Sequence, residues 1–571
     1  MKTRTQKMLA LLLAGVMTAS FVGCGDTEAN KGSSAEESKS TATESKSEES
    51  NVEEELYYNT EGFPIVKEPI TIEMAGLREQ TNDWANSHVV KKIEEEMGIK
   101  FDITTYETSE ILSTQFATQI TSDTLPDLMV NYPYINKVMA NQYGEEGYLL
   151  DFTDYLDIMP NFKKFLEENP EYAAYNTAGD GGIYSFDRVN DGPRNIYQMY
   201  VSKADQEKYG FSVDDIKTVD DFYEVLKSIK EQNPDVVPFG WALGYWGARA
   251  LPVLRTAFGI DGCLNVVNAK GVDEDGNVIL HDITENQQAY YKYMNKLWEE
   301  ELVDHNAFIM TRDEFEADIR AGKYVFWHAS GGFGTLKQTD AVVKEYDILV
   351  ALTSEYNETA EYITYDPYNT MSRTMVSAKT EYPEAICRLL DYQFSDEGYL
   401  FFNYGTEGET YDIVENDFGM QVVSNADYWD KDKYGSEYEW RVQEVMINNV
   451  FQTLLKQSPE VLNASDELLE KLINEDPNYT YTSAAAMEKA IREQAESTRY
   501  SSFLPLAYTD EENSEIAQLE TDMGNLLSNY YAQFITGDLD VDADWDAYVE
   551  QISIFWDKLQ PIMQGAYDRI H

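Results

Sequence analysis

The sequence predicts an α/β protein of two lobes or more. After a polar N-terminal stretch about five hundred residues remain, more than one hydrophobic core holds, and chains of that size divide. Hydrophobic residues make up 43% of the chain, enough to fill two cores. From residue 69 onward short β-type runs alternate with helical ones, the rhythm of a parallel sheet with crossover helices.

Taken in order, "PITIEMAGL" is a β run. "ANSHVVKKIEEEMGIKFDITTY" predicts a helix with Val89, Val90, Ile93 and Met97 on one face, stopped by Gly98 and followed by a second strand. "ILSTQFATQITSDTLPDLMVNYP" predicts another helix, a turn and a strand over 127–130. Ligands of such sheets gather beyond the carboxyl ends of the strands. Helical spacing returns in "VDDFYEVLKSIKEQNPD", "NQQAYYKYMNKLWEEELV" and "YPEAICRLLDYQFSDEGYLFFNYG", and dominates the C-terminal part. "VDEDGNVIL" predicts a hairpin turning on Asp275 and Gly276. Asp273, Asp275 and Asn277 alternate as calcium ligands do, but the glycine stands fourth instead of sixth and no glutamate stands twelfth. The absence of any fixed repeat excludes solenoids and propellers.

The first residues have a different purpose. Lys2, Arg4 and Lys7 lead into an apolar run from Met8 to Met17, the two parts of an export signal. That run is shorter than the roughly 20 apolar residues a membrane span requires. "FVGC" then resembles the lipobox of bacterial lipoproteins, with Phe21 where that motif usually has Leu. The resemblance implies removal of residues 1–23 and a diacylglyceryl group on Cys24. Residues 24–63, rich in Ser, Glu, Lys and Thr, are expected to form a disordered tether, because they bury too little to offset the entropy of ordering.

Net charge is −59, and loss of a signal bearing three cations and no acid makes it −62. So negative a chain repels nucleic acid and anionic lipid, which excludes both as partners. Past Cys24 only Cys263 and Cys387 remain, too few for a disulfide framework and expected to be separate buried thiols. The sequence holds no H-E-x-x-H, G-x-S-x-G or phosphate-loop motif. His88, His281, His305, His328 and His571 stand singly, as packed or surface residues, and "SGGFG" at 330–334 is a tight turn. No enzyme activity, cofactor or metal is expected. With 103 acidic residues, the carboxylate pair of a glycosidase leaves no signal, and a surface glycoside hydrolase or lyase stays as the alternative.

The ordered pieces "TLPDLMV", "GYLLDFTDYL", "YVSKADQEKYG", "TVDDFYEVLKSIKEQNPD", "YMNKLWEEELVDHNAF", "FEADIRAGKYVFW" and "LLDYQFSDEGYLFFNYGTEGETY" resemble extracellular solute-binding proteins of family 1. The likeness is greatest to the long lipoprotein branch of Firmicutes that serves carbohydrate ABC importers. It implies a two-lobed periplasmic-binding-protein-like fold with a multi-strand hinge and a ligand cleft between the lobes. One lobe would comprise 64–186 plus 366–415 and the other 187–365 plus 416–571, with crossings near Ile183 to Asp187, near Tyr362 to Arg373 and after Tyr411. The implied partners are a carbohydrate and the permease subunits, for a monomer lipid-anchored on the outer face of a Gram-positive cell. The calcium loop of some relatives is replaced by "EQNPDVVP", which lacks the oxygen ligands.

Forty-one tyrosines and nine tryptophans suit that reading, since sugar rings stack on aromatic faces while their hydroxyls take planar polar partners. Trp298 and Trp556 sit at helical spacing and are expected in the core. Trp84, Tyr132, Tyr134, Trp241, Tyr245, Trp246 and Trp327 lie in loops or at strand ends and are candidate stacking residues. The resemblance adds Asp366, Arg373 and Glu407 as candidate polar contacts.

Overall fold

The computed structural model describes residues 56–569 apart from short internal stretches, the longer of which are 79–82, 192–197, 246–250, 261–265, 330–339, 366–372 and 502–505. Cys24, Tyr134, Trp246, Cys263, the 330–334 turn and Asp366 lie outside the described residues.

The first lobe is built on the predicted parallel strands. Ile70–Leu77 pairs with Ile99–Tyr106 on one side and Leu128–Val130 on the other. The intervening helical segment buries Val89, Val90, Ile93 and Met97 and ends at Gly98, whose φ of +78° suits glycine. The crossover Ser109–Ser122 is capped by the Thr108 hydroxyl oxygen, which accepts from the Ile111 N–H. Two antiparallel strands from elsewhere, Arg373–Val376 and Phe186–Asp187, complete a five-stranded sheet.

The second lobe has a four-stranded mixed sheet in the order Tyr346–Leu349, Gln198–Ser202, Tyr324–Ala329, Val237–Gly240. Met199, Val201, Phe239 and Phe326 face a core shared with helices Val219–Gln232, Glu285–Glu299, Asp510–Thr536 and Trp545–Asp568. Tyr200, Trp327 and Ile348 belong to a second cluster with Met487, Ala490 and Ile491 of helix Thr482–Gln494. Trp556 is buried as expected, and Trp298 is half-buried, stacked on His305 at 4.2 Å. The 270–280 hairpin forms, with Asp273 accepting from the backbone of Asp275 and Asn277.

Three boundaries differ from expectation. The packed body begins at Leu56, inside the expected tether, because Tyr58 joins the first-lobe core and the Tyr57 hydroxyl donates to Glu384. Phe186–Asp187 belongs to the first-lobe sheet, so the first crossing follows it. Part of the segment 416–451 lies with the first lobe: Ile447, Val450 and Phe451 pack in its core, whereas Phe418 packs against the helices of 459–485, and the third crossing comes at Leu454–Lys456. There it pairs in parallel with Val189–Asp191 of the first crossing, Leu454 opposite Val189 and Lys456 opposite Asp191. Two crossing strands thus share one hydrogen-bonded ribbon. Among the described residues no helix is long and apolar enough to cross a membrane.

Candidate functional site

The carboxyl ends of the parallel strands lead, in the first lobe, to Asn131 and Tyr132, and in the second to Trp241–Tyr245 after Val237–Gly240. Candidate residues do lie at these ends, but most are sealed. Trp84 packs beside Gly76, whose lack of a Cβ leaves room for the indole and for the Val130 carbonyl. Tyr132 is fully buried edge-on to Phe116, and burial pushes its hydroxyl well above the usual tyrosine range. Trp241 is fully buried, edge-on to Phe308. Trp327 is 2% exposed, one face stacked on Tyr200 at 4.2 Å and its edge on Tyr346. Rings held this way offer no open face to a sugar, so in this structure the four serve packing.

Arg373 is sealed too, and for a different reason. Crossing strands place it opposite Asp187, and its Nη2 lies 3.0 Å from the Asp187 carboxylate while Nη1 donates to the Ile135 carbonyl at 2.7 Å. The same carboxylate accepts from Ser185, which with Asn176 takes the Lys137 ammonium. Burial, partly offset by Asp187, brings Lys137 down to about 8. Two cations and one carboxylate are locked together at the first crossing.

A second corner is open. Tyr245 is 9% exposed, and the Arg312 guanidinium sits 5.1 Å above its ring. The loop beneath is tightly fitted: Leu243 N–H donates to the Ala307 carbonyl, and a Cβ on Gly244 would strike the Met310 carbonyl. Arg312 opens helix Arg312–Arg320, capped by Thr311 and Glu314, and its Nε pairs at 2.6 Å with Glu316, which is itself sealed. The Arg312 head remains 54% exposed. Burial opposes its charge, yet Glu316, Tyr245 and, from the first lobe, Glu439 together hold its pKa above the ordinary arginine value. Glu407 is exposed beside the bridge it forms with Tyr411.

A further aromatic and cationic cluster includes a segment that sequence reasoning passed over. Between 404 and 441 the first lobe sets Tyr404 and Tyr438 against Arg441, whose guanidinium lies 4.5 Å over Tyr404 and 5.8 Å over Tyr438. Arg441 is fixed by Glu437 and by the Asn403 carbonyl. Trp429 lies nearly parallel to Trp440, and its buried indole N–H has no acceptor among the described residues. Tyr438 is exposed. The aromatic density of "NADYWDKDKYGSEYEW" was the available signal.

No protein-family model matches the chain. Over 486 residues, 81% of this chain and 83% of the relative, it is 25% identical to the fructooligosaccharide ABC transporter substrate-binding protein FusA of Streptococcus pneumoniae serotype 4. The likeness is to a substrate-binding protein of an ABC transporter. It is 24% identical to lipoprotein LipO of Bacillus subtilis over 310 residues, 51% of this chain and 57% of that one. The structure of FusA in complex with kestose matches with a TM-score of 0.65, covering 88% of this chain and 99% of that chain at 21% identity, a likeness of fold. The two-lobed periplasmic-binding-protein-like architecture expected from sequence is therefore the one observed.

Proposed function

We propose that this chain is the substrate-binding lipoprotein of an ABC importer, taking a neutral oligosaccharide between its lobes and presenting it to a membrane permease. The observation that carries the reading is kinship to a fructooligosaccharide-binding protein along most of the length of both chains. The two separate cores joined by three crossings supply the mechanism. A ligand that touches both lobes favours the closed state by its differential contacts, and the crossings bend as one hinge. The similarity to the substrate-binding protein FusA supports a ligand that leaves intact. Anchoring is by Cys24, with residues 25–55 as the tether.

A thermal-shift screen against soluble glycans tests the function. One neutral oligosaccharide should raise the unfolding temperature, since a ligand bound only by the folded state stabilises it. New reducing ends on incubation with that glycan would favour the glycosidase alternative instead. Cys24→Ala should release the protein from the membrane into the medium.

A further inference from the structure

We propose that the hairpin of Asp412–Asn416 and Gly419–Val423 is a strap between the lobes: its base is fixed to the first lobe, its tip is bonded to a helix of the second, and it limits how far the cleft opens. This goes beyond the sugar-binding reading, since it depends on the two-lobed fold and on no particular ligand.

The base is held on both strands. Ahead of it, His88 Nε2 lies 2.9 Å from the Thr406 hydroxyl and Lys92 pairs with Glu409 at 3.0 Å, so helix His88–Lys92 of the first lobe fixes the turn that leads into the hairpin. The Tyr428 hydroxyl donates to Asp412 at 2.9 Å. On the returning side the Ser424 hydroxyl donates at 2.6 Å to Glu437, the partner of Arg441, and Arg441 donates to the Asn403 carbonyl.

The tip reaches elsewhere. Phe418 packs against the cluster of Val461, Leu469, Leu472 and Ala485. Asn478 Nδ2 donates to Gln421 Oε1 at 2.7 Å, and the Tyr481 hydroxyl donates to the Met420 carbonyl at 2.9 Å. Gln421 is fully buried, and Asn416 of its own hairpin donates to the same oxygen at 2.7 Å. Asp476 accepts from the backbone N–H of both Asn478 and Tyr481, so this turn presents its two donors already placed. The turn opens helix Thr482–Gln494, which is bound to the second lobe. Met487, Ala490 and Ile491 share a core with Tyr200, Trp327 and Ile348, while Gln494 accepts from the Val350 N–H at 2.9 Å and donates to the Ile348 carbonyl at 2.6 Å.

The hairpin is thus a fourth link between the lobes, and it differs in kind from the three crossings. A continuous strand bends with the hinge, whereas a hydrogen bond between two surfaces is lost once its groups part beyond about 3.5 Å. Opening wide enough to lift the tip breaks both donors' bonds and uncovers Phe418, which sets a stop on the hinge motion.

The test is X-ray scattering from the ligand-free mature chain, with thermal melting as the check on folding. Because Asp412 stands directly opposite Val423, residues 413–422 can be replaced by two glycines that close the hairpin at its base and leave the Tyr428 bond in place. This shortened chain should have a larger radius of gyration than wild type. N478A combined with Y481F removes two bonds, should lower the ratio of strapped to unstrapped molecules by roughly tenfold, and should expand the particle less. N416A removes a bond to the same Gln421 oxygen from within the hairpin and should scatter like wild type. Should the shortened chain not fold, the double variant decides. Expansion in the shortened chain alone would keep the strap and assign it to Phe418. Wild-type dimensions in both would overturn the strap, as would equal expansion by N416A, which would show only that the hairpin had come apart. No glycan enters these measurements, so the sugar-binding reading stands or falls separately.

Discussion

Two arginines occupy comparable places in the two lobes and come to opposite uses. Arg373 lies where a crossing strand joins the first-lobe sheet, 3% exposed, with Asp187 and the Ile135 carbonyl taking both ends of its guanidinium. Arg312 lies beyond a strand end of the second lobe, held on one side by Glu316 and Tyr245 and half open on the other. The difference teaches that an arginine near a crossing is not thereby a ligand contact. What matters is how many of its donors the fold has already used.

The largest effect should come from breaking the sealed set. Asp187→Ala leaves Arg373 and Lys137 buried without their carboxylate and should cost about 3–5 kcal/mol, read from urea unfolding. A cost below about 1 kcal/mol, the value of an exposed pair, would erase the contrast.

A smaller effect is in pH. The folded chain holds Lys137 at about 8 against 10.5 as reference, so between those values the unfolded chain binds more protons and stability rises with pH. This contribution is complete only above the reference value and is lost as pH falls through about 8. Between pH 8 and 9 the native chain should gain about 1 kcal/mol more than Lys137→Met, a comparison in which the ionisation of unfolded tyrosines cancels. Lys137→Met should flatten that rise; an identical slope in both proteins would mean that the ammonium is hydrated.

The smallest effect on stability should be that of Arg312→Gln. A half-exposed pair contributes about 0–1 kcal/mol, so the unfolding midpoint should barely move. Destabilisation comparable to Asp187→Ala would place both arginines in the same structural role.

Much of the framework was legible because it is local. The apolar spacing of Val89, Val90, Ile93 and Met97, the stop at Gly98 and the run before Asn131 correspond to elements at the predicted places. The site was less legible. Trp241 and Trp327 read as loop or strand-end aromatics, and one residue's difference in register decides whether such a ring faces solvent or the helix across the sheet. The Trp429 to Arg441 segment was passed over because no periodic element marks it.

By itself the sequence determined the alternation of strand and helix, the division into more than one core, the large negative charge and the aromatic supply. These follow from side-chain periodicity, chain length and composition, which act over a few residues or over the whole chain. Only the tertiary structure decided that Ile447, Val450 and Phe451 pack in the first-lobe core, that Arg373 is spent on Asp187, and that Arg312 keeps an open head beside Glu316 and Tyr245. Each of those depends on residues far apart in the chain meeting in space. Arg373 and Asp187 are 186 positions apart, and a hydrogen bond between them exists only once two crossings have been laid side by side.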